Sequence, residues 1–300
     1  YTAIMLLNNL GDTQKILGKT KSAEQLLTSA VQLAIRFHTK YSAVAEVSIV
    51  NLAQLYAKTN RLADAEELFF EALDINENLM GRDDKSAVVI LINFADLRTT
   101  QLRFIEAKRI LDRAGSIIRE QIGENSHEYS TFLNNYAEIE RRSGATMRAQ
   151  RKFEKAIEIR ANIFGMKHIH VAEIKNNLAA LLMDQGKYYS AEQLYLEVMV
   201  SYKEQMGTRN EYIAQAYHNL ANLYLQMKPI WDARALHHAS VAANIRAETL
   251  GKNHSLTRST IGLVGSVVVL PSVTGLFGSV VELPSELELP SLFDCPGGSS

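Results

Sequence analysis

The sequence predicts an all-α protein, a solenoid of six helix hairpins stacked in a row. The first observation is an asparagine that recurs every 42 residues without a slip, at Asn9, Asn51, Asn93, Asn135, Asn177 and Asn219. The second is an alanine that recurs with the same period in an independent register, at Ala23, Ala65, Ala107, Ala149, Ala191 and Ala233. A fixed period of this size is typical of repeat proteins, in which each unit buries its apolar face only against its neighbours.

The third observation is that each copy has the apolar period of two helices. In the second copy, residues at i, i+3, i+4 and i+7 fall on one helical face: Ile49, Leu52, Ala53 and Tyr56. Asn60 and Arg61 interrupt this pattern, and it restarts with Ala65 and Phe69 for a second helix. Each copy is therefore predicted to be a helix hairpin.

Two kinds of small residue fit this hairpin. Alanine at the crossing of two antiparallel helices allows axes about 8–10 Å apart, where a larger side chain would separate them. A glycine closes each of four copies, at Gly81, Gly123, Gly165 and Gly207. Glycine suits the left-handed residue just past a helix C-terminus.

The pattern L-x-x-L-A/G-x-x-Y, followed by the paired alanine and an aromatic four residues later, resembles the tetratricopeptide repeat. Ala149 with Phe153 and Ala191 with Tyr195 show the second part. The 42-residue period, the NNLA core, the QGKYYSAEQLY continuation and the closing G-x-x-H from Gly251 resemble the kinesin light chain type. The resemblance covers about residues 1–258. It implies a right-handed α-solenoid with a concave groove.

Composition gives few restrictions on function. The chain has 300 residues, 47% of them hydrophobic, and a formal charge of −1, which gives no general attraction to nucleic acid. A single cysteine, Cys295, excludes an intramolecular disulfide framework and favours a cytoplasmic or other reducing compartment. The sequence opens at Tyr1, in register with a first helix, so a targeting segment is expected to be absent or to lie outside it.

The composition changes at Ser259, so we divide the chain into an array of six repeats over residues 1–258 and a tail over residues 259–300. The start of a seventh helix is expected before the boundary, and Ile261 falls where the recurring asparagine would stand. Valine-rich runs with Pro and Gly predict a non-helical, extended or disordered tail. The alternative is a membrane anchor, because the run from Ser259 to Val281 has no charge and is long enough to cross a bilayer.

A third role for the tail is internal. Residues 282–294, ELPSELELPSLFD, alternate acids with Leu and Phe, and such a strip would fit an extended site beside Arg141 and Arg142. These two arginines stand beside Glu140, which replaces the usual aromatic residue of the first helix, and we expect this face to be solvated or to line the groove. Trp231 is expected to pack into the last hairpin.

No catalytic, cofactor or metal site is predicted. The chain has no Gly-rich phosphate loop, no G-x-S-x-G and no H-E-x-x-H. The pairs His168 with His170 and His237 with His238 lack the i, i+4 spacing that puts two imidazoles on one helical face. We therefore expect a protein that is not an enzyme.

A peptide-binding groove is the remaining prediction. In each first helix the apolar face leaves four positions, numbered 2, 6, 9 and 13 within the copy, on another face. The recurring asparagine is position 6, and its amide offers donors and an acceptor to a peptide backbone. The candidate peptide-binding residues are Asn51, Val89, Asn93, Asn135, Glu138, Arg141, Arg142, Asn177, Asn219 and Asn222. The alternative role of the asparagines is to brace the neighbouring repeat.

Two functions remain open at this stage. The first is a scaffold or adaptor that binds an extended peptide or partner protein, as the resemblance to kinesin light chain repeats implies, in a groove that is apolar near Val47 and Val89 and basic near Arg141 and Arg142. The second is a constitutive structural subunit of a larger assembly, attached through its tail. Both predict a protein or peptide partner and no nucleic acid.

Overall fold

The computed structural model describes residues 1–227 and 233–268, with the side chains of 265–268 excepted. Within these ranges the chain forms thirteen α-helices: α1 Thr2–Ile16, α2 Thr20–His38, α3 Ala43–Lys58, α4 Leu62–Met80, α5 Ala87–Thr100, α6 Phe104–Gln121, α7 His127–Arg142, α8 Thr146–Phe164, α9 Ile169–Asp184, α10 Tyr188–Met206, α11 Glu211–Gln226, α12 Ala233–Thr249 and α13 Ser255–Val268. Successive helices pair as six hairpins, and α13 packs on α11 and α12. The predicted all-α solenoid is confirmed.

The alanine register marks the helix crossings in five repeats. The alanines of this register that have no exposed surface are Ala23, Ala65, Ala107, Ala149 and Ala191. In the last repeat the prediction of Ala233 is wrong, because this residue is exposed and Ala235 is fully buried instead. Gly251 follows Gly207 by 44 residues, so two extra residues between α11 and Ala235 shift the whole second helix.

Glycine and a capping residue together separate the repeats. Gly81, Gly123, Gly165 and Gly207 all have positive φ, between 76° and 100°, as predicted. Three residues after each glycine stands a polar side chain that accepts a backbone N–H at the start of the next first helix, at Asp84, Ser126, His168 and Asn210. These acceptors satisfy N–H groups that the helix itself leaves free. The register is readable in the sequence, but we identified it only from the structure.

Leu102 occupies an unusual backbone conformation. The turn inside each of the first five hairpins contains one left-handed residue, and the fourth and fifth repeats use Gly144 and Gly186 there, with φ of 81° and 73°. Leu102 has φ of 61° at the same position, and its side chain is 67% exposed. A residue with a Cβ pays about 1–2 kcal/mol in this conformation, and Leu102 recovers little of this by burial.

Buried charges replace apolar contacts in the middle of the array. Glu140 is 3% exposed, so the expectation that it lies on a solvated or groove-lining face is wrong. Its carboxylate faces the second helix of its own hairpin, where Lys152 Nζ lies 2.9 Å away. The reason is that a carboxylate at the aromatic position points between the helices and is paired there rather than solvated.

Helix α13 continues past the predicted boundary at residue 258, so residues 259–268 are helical rather than extended. Thr257 and Thr260 are fully buried, and Arg246 Nη1 donates to Thr260 Oγ1 at 2.5 Å. Thr260 also lies 3.2 Å from Nδ1 of His218, whose pKa is lowered to about 4 by burial and by the charge of Arg246. Packing on α12 therefore overrides the strand preference of the valine-rich sequence.

The two-residue shift also explains the register of α13. Counting 44 residues from Asn219 leads to Leu263 rather than to Ile261, so the helix continues without the asparagine. No helix in the described residues is both long and apolar enough to span a membrane. Trp231, Cys295, residues 269–281 of the candidate anchor and residues 282–294 lie outside the described residues.

Replacing Leu102 by Gly is expected to stabilise the protein. The change removes about 1–2 kcal/mol of left-handed strain. It also makes the unfolded chain more flexible, which costs about 0.4–1 kcal/mol. The free energy of unfolding should therefore rise by about 0.5–1 kcal/mol. Denaturant unfolding measures the change in stability for Leu102→Gly and, as a separate variant, for Gly144→Leu. The second variant should lose stability. A loss in Leu102→Gly would show that this side chain makes a stabilising contact.

Replacing Ala191 or Ala235 by Leu should each cost about 1–3 kcal/mol through overpacking. Ala233→Leu is the matched control in the same helix and should change stability by less than about 0.5 kcal/mol, because its side chain is exposed. Thermal melts of the three variants compare them. A cost at Ala233 equal to that at Ala235 would contradict the shifted register.

Candidate functional site

The first helices of the hairpins form the inner surface of the array. The backbone of each of them approaches the next closely, from α1 with α3 to α11 with α13, whereas the backbones of successive second helices in the described chain stay further apart. A stack whose one layer is more closely spaced curves toward that layer, as in other solenoids with concave binding surfaces. Positions 2, 6, 9 and 13 of the first helices therefore face the predicted groove.

The candidate residues of this groove differ in exposure. Asn51, Asn93, Asn135, Asn177, Asn219 and Asn222 are all half-buried. The two valines at position 2 are more exposed, with Val47 at 42% and Val89 at 58%. The groove thus offers partly covered amides throughout and exposed apolar side chains in the second and third repeats.

In the C-terminal half of the groove the asparagines bind each other. Asn177 Nδ2 of the fifth repeat donates to Asn134 Oδ1 of the fourth repeat at 3.0 Å. Asn134 Nδ2 in turn donates to Asn135 Oδ1 at 3.1 Å. Asn134 and Asn177 therefore brace the adjacent first helices α7 and α9, and Asn135 is joined to this contact only through Asn134.

A second amide chain lies nearer the C-terminus. Asn219 Nδ2 donates to Asn176 Oδ1 at 2.7 Å, and Gln215 Nε2 donates to Asn219 Oδ1 at 2.7 Å. Arg246 Nη2 donates to Gln215 Oε1 at 2.6 Å and also pairs with Glu211. Asn219 is therefore a brace between α9 and α11.

The asparagines of the second and third repeats make no such contacts. The side chains of Asn51 and Asn93 form no hydrogen bond with any other described residue. The residues before them are Val50 and Ile92, which offer no side-chain acceptor to the next repeat, whereas Asn134 and Asn176 do. The doublet Asn-Asn therefore accompanies bracing in the fourth and fifth repeats but not in the first, where Asn8 Nδ2 donates to Ser48 Oγ and the Asn9 side chain braces no neighbouring helix.

Arg141 and Arg142 do not make the groove basic, which corrects that prediction. Arg141 Nε lies 2.8 Å from Glu138, Arg141 Nη1 also pairs with Asp184, and Arg142 Nε lies 2.7 Å from Glu138. Burial alone would raise the pKa of Glu138, but the two arginines outweigh it and the pKa is lowered. The positive charge is compensated within the groove, so an acidic strip such as residues 282–294 gains little there.

A cavity of about 220 Å³ opens in the groove between α5, α7 and α9. Its lining includes Asn135, Glu138 and Asn177, which the sequence analysis had selected. The other lining residues were not among the binding residues predicted from the sequence, and they are Ala95, Asp96, Thr99, Leu111, Asn134 and Ile139. The predicted site residues of the fourth and fifth repeats are thus brought together around one cavity, while Asn51, Asn219 and Asn222 lie elsewhere along the groove.

The histidines near the junction of α8 and α9 form a small aromatic cluster. His168 stacks on Phe164 with ring centroids 4.8 Å apart, and His127 lies 5.6 Å from His170. His168 Nδ1 accepts the backbone N–H of His170, which is a capping contact. In the part of the chain that the structure describes, no group of three or more His, Cys, Asp or Glu is placed to hold a metal ion.

The fold and groove together define a helical-repeat protein with a concave binding surface. Comparison with known families matches the tetratricopeptide repeat over residues 1–78 and 170–243, which together make up half of the chain. The chain belongs to the tetratricopeptide repeat family. A search of curated proteins finds no match.

Solved structures of low sequence identity share this fold. BtubC (BKLC) from P. vanneervenii is 22% identical, with a TM-score of 0.56 over 78% of this chain and 91% of that one. The nearly identical TPR-like repeats of a kinesin light chain from Podosopora anserina are 16% identical, with a TM-score of 0.52 over 68% and 96%. A Rap protein complexed with Competence and Sporulation Factor is 14% identical, with a TM-score of 0.57 over 88% and 70%. The resemblance to kinesin light chain-like repeats is confirmed at the level of fold.

Replacing Asn219 by Ala should lower stability, because it removes two side-chain hydrogen bonds of about 0.5–1.5 kcal/mol each. Asn93→Ala at the same position of the third repeat should change stability by less than about 0.5 kcal/mol. Denaturant unfolding of both variants measures the difference. Equal effects would contradict the division of the groove into bracing and unpaired asparagines.

Proposed function

We propose that this protein is a protein-interaction scaffold whose concave groove binds an extended peptide segment of a partner protein. The observation that carries the proposal is that the side chains of Asn51 and Asn93 are half-buried in the groove without a hydrogen-bond partner in the described chain. Buried amides are normally satisfied, so unpaired ones in a groove are suited to a ligand backbone.

The spacing of the repeats supports an extended ligand. Packed helices lie about 8–10 Å apart, and an extended peptide advances about 3.3 Å per residue. Successive asparagines would therefore meet the peptide at about every third residue. Val47 and Val89, both exposed in the groove, would contact apolar side chains of the ligand.

One structural neighbour was solved as a complex, which supports this proposal. The Rap protein of the comparison was solved with Competence and Sporulation Factor bound. Sequence identities of 14–22% support a shared fold and do not identify the ligand of this chain.

Capture of random peptides displayed on phage by the immobilised full chain tests the proposal. The groove variant Asn51→Ala with Asn93→Ala should capture at least tenfold less than the unchanged protein, with the same melting temperature. The matched control is Gln32→Ala with Gln193→Ala, which removes two exposed amides from second helices that make no hydrogen bond in the described chain. Its capture should be unchanged.

Two results would contradict the proposal. Equal capture by the groove variant and the control would place peptide binding outside the groove. Absence of capture, together with a chain that is insoluble without partners, would favour the constitutive structural subunit.

A further inference from the structure

The repeats provide an internal comparison at position 9 of the groove. This position is occupied in order by Asp12, Gln54, Asp96, Glu138, Ala180 and Asn222. Three of these residues are carboxylates, in the first, third and fourth repeats. Because the backbone repeats, the surroundings of each carboxylate can be compared with those of the other two.

In two of the three repeats the carboxylate is paired three residues further along the helix. Lys15 Nζ lies 2.6 Å from Asp12 Oδ1 in the first repeat. Arg141 Nε lies 2.8 Å from Glu138 Oε2 in the fourth repeat. The groove thus contains an acid and a cation at the same two positions of a first helix, an i, i+3 pair.

The third repeat has the acid but not the cation. Thr99 stands where Lys15 and Arg141 stand, and its hydroxyl donates to the backbone oxygen of Ala95 at 2.8 Å. The side chain of Asp96 makes no ion pair or hydrogen bond with any other described residue. Of the three carboxylates, that of Asp96 is therefore the one whose charge is not compensated in its own repeat.

More distant charges do not replace the missing cation. The pKa of Asp96 is raised, first by burial and then by the charge of Glu138, although Arg142 and Lys58 act in the opposite direction. Lys58 lies beyond ion-pair distance, and its own pKa is lowered by burial and by Lys15. Because Asp96 remains exposed in the groove, its unpaired carboxylate is accessible to a cationic ligand.

The cavity of about 220 Å³ lies at this point. Asp96 and Thr99 form part of its lining, together with the amides of Asn135 and Asn177. Sites for drug-sized ligands are typically about 300–1,000 Å³, so this volume suits one side chain of a larger ligand. Asn135 and Asn177 retain hydrogen-bonding capacity beyond their contacts with Asn134.

We infer that the cavity binds a Lys or Arg side chain of the peptide ligand, whose cationic group pairs with Asp96 and supplies the charge that Lys15 and Arg141 supply in the other repeats. This inference rests on the proposed function and adds a specificity-determining pocket to it. Recognition of a cation by this groove is the opposite of what a basic groove would select. Charge-assisted hydrogen bonds of this kind are stronger than neutral ones.

The test starts from the peptides that the full chain captures from the random library. The inference expects Lys or Arg to be enriched in them. Resynthesis of each peptide with norleucine for Lys, or citrulline for Arg, should weaken binding at least tenfold, as measured by fluorescence anisotropy. The same replacement should weaken binding to Asp96→Asn less than about twofold, since that variant keeps the shape of the carboxylate without its charge.

Two further variants sharpen the result. Thr99→Lys restores within the chain the cation of the first repeat, and it should abolish the preference for Lys or Arg while peptides are still captured. Glu67→Gln is the matched control, because Glu67 is an exposed carboxylate on α4 that forms no ion pair in the described chain, and it should keep the preference. Should Thr99→Lys fail to fold, Asp96→Asn decides alone.

The outcomes separate this inference from the proposed function. Captured peptides without enrichment of Lys or Arg would overturn the inference and leave peptide binding standing. The inference would also be overturned if replacing Lys or Arg of the peptide by its neutral analogue weakened binding to Asp96→Asn as much as binding to the unchanged protein. Absence of any captured peptide would overturn both.

Discussion

The close crossing of the two helices in each hairpin is the contact on which the array depends. A fully buried alanine allows this crossing in each of the middle repeats, as at Ala107 and Ala149. The crossing brings the apolar faces together, and a continuous core then extends from α5 to α12. Because a unit has no core of its own, the spacing of the alanines decides whether neighbouring units fit.

A polar contact between repeats accompanies this apolar packing. A carboxylate on one second helix meets the residue 32 positions later in the next first helix, as in Glu24 with Tyr56, Glu66 with Arg98 and Glu192 with Tyr224. The partner is a tyrosine in two cases and a buried arginine in the third. Arg98 lowers the pKa of Glu66 to about 2, so this pair stays charged over the ordinary pH range. The same backbone thus accommodates a neutral or an ionic contact at one position.

Much of the fold could be predicted from the sequence, because the signals are local and repeated six times. The asparagine and alanine registers, the hairpins and the glycines with positive φ all follow from spacing. The last repeat could not be predicted in the same way, because two extra residues break the count before Ala235. Helix α13 was missed for a related reason: its helical state depends on contacts with α12, while its valines favour strands.

The groove was predictable in position but not in its contacts. Position 6 does face the inner surface, and the sequence alone left contact with a ligand and bracing as alternatives. The structure distinguishes Asn219, which is paired, from Asn93, which is not. The neutralisation of Arg141 by Asp184 joins residues of different repeats, so no spacing within one repeat would have revealed it.

The amide chain that begins at Arg246 crosses the C-terminal end of the groove. The guanidinium donates to Gln215, which donates to Asn219, which donates to Asn176, so the series runs from α12 through α11 to α9. Hydrogen bonds in series polarise one another, and the Arg246 guanidinium, paired with Glu211, stands at the head of this series. Because the same guanidinium also donates to Thr260 of α13, the last helix of the array is joined through three side chains to the floor of the groove on α9. The two ends of the inner surface are therefore not equivalent, because a connected series of polar side chains joins α13 to α9 at its C-terminal end.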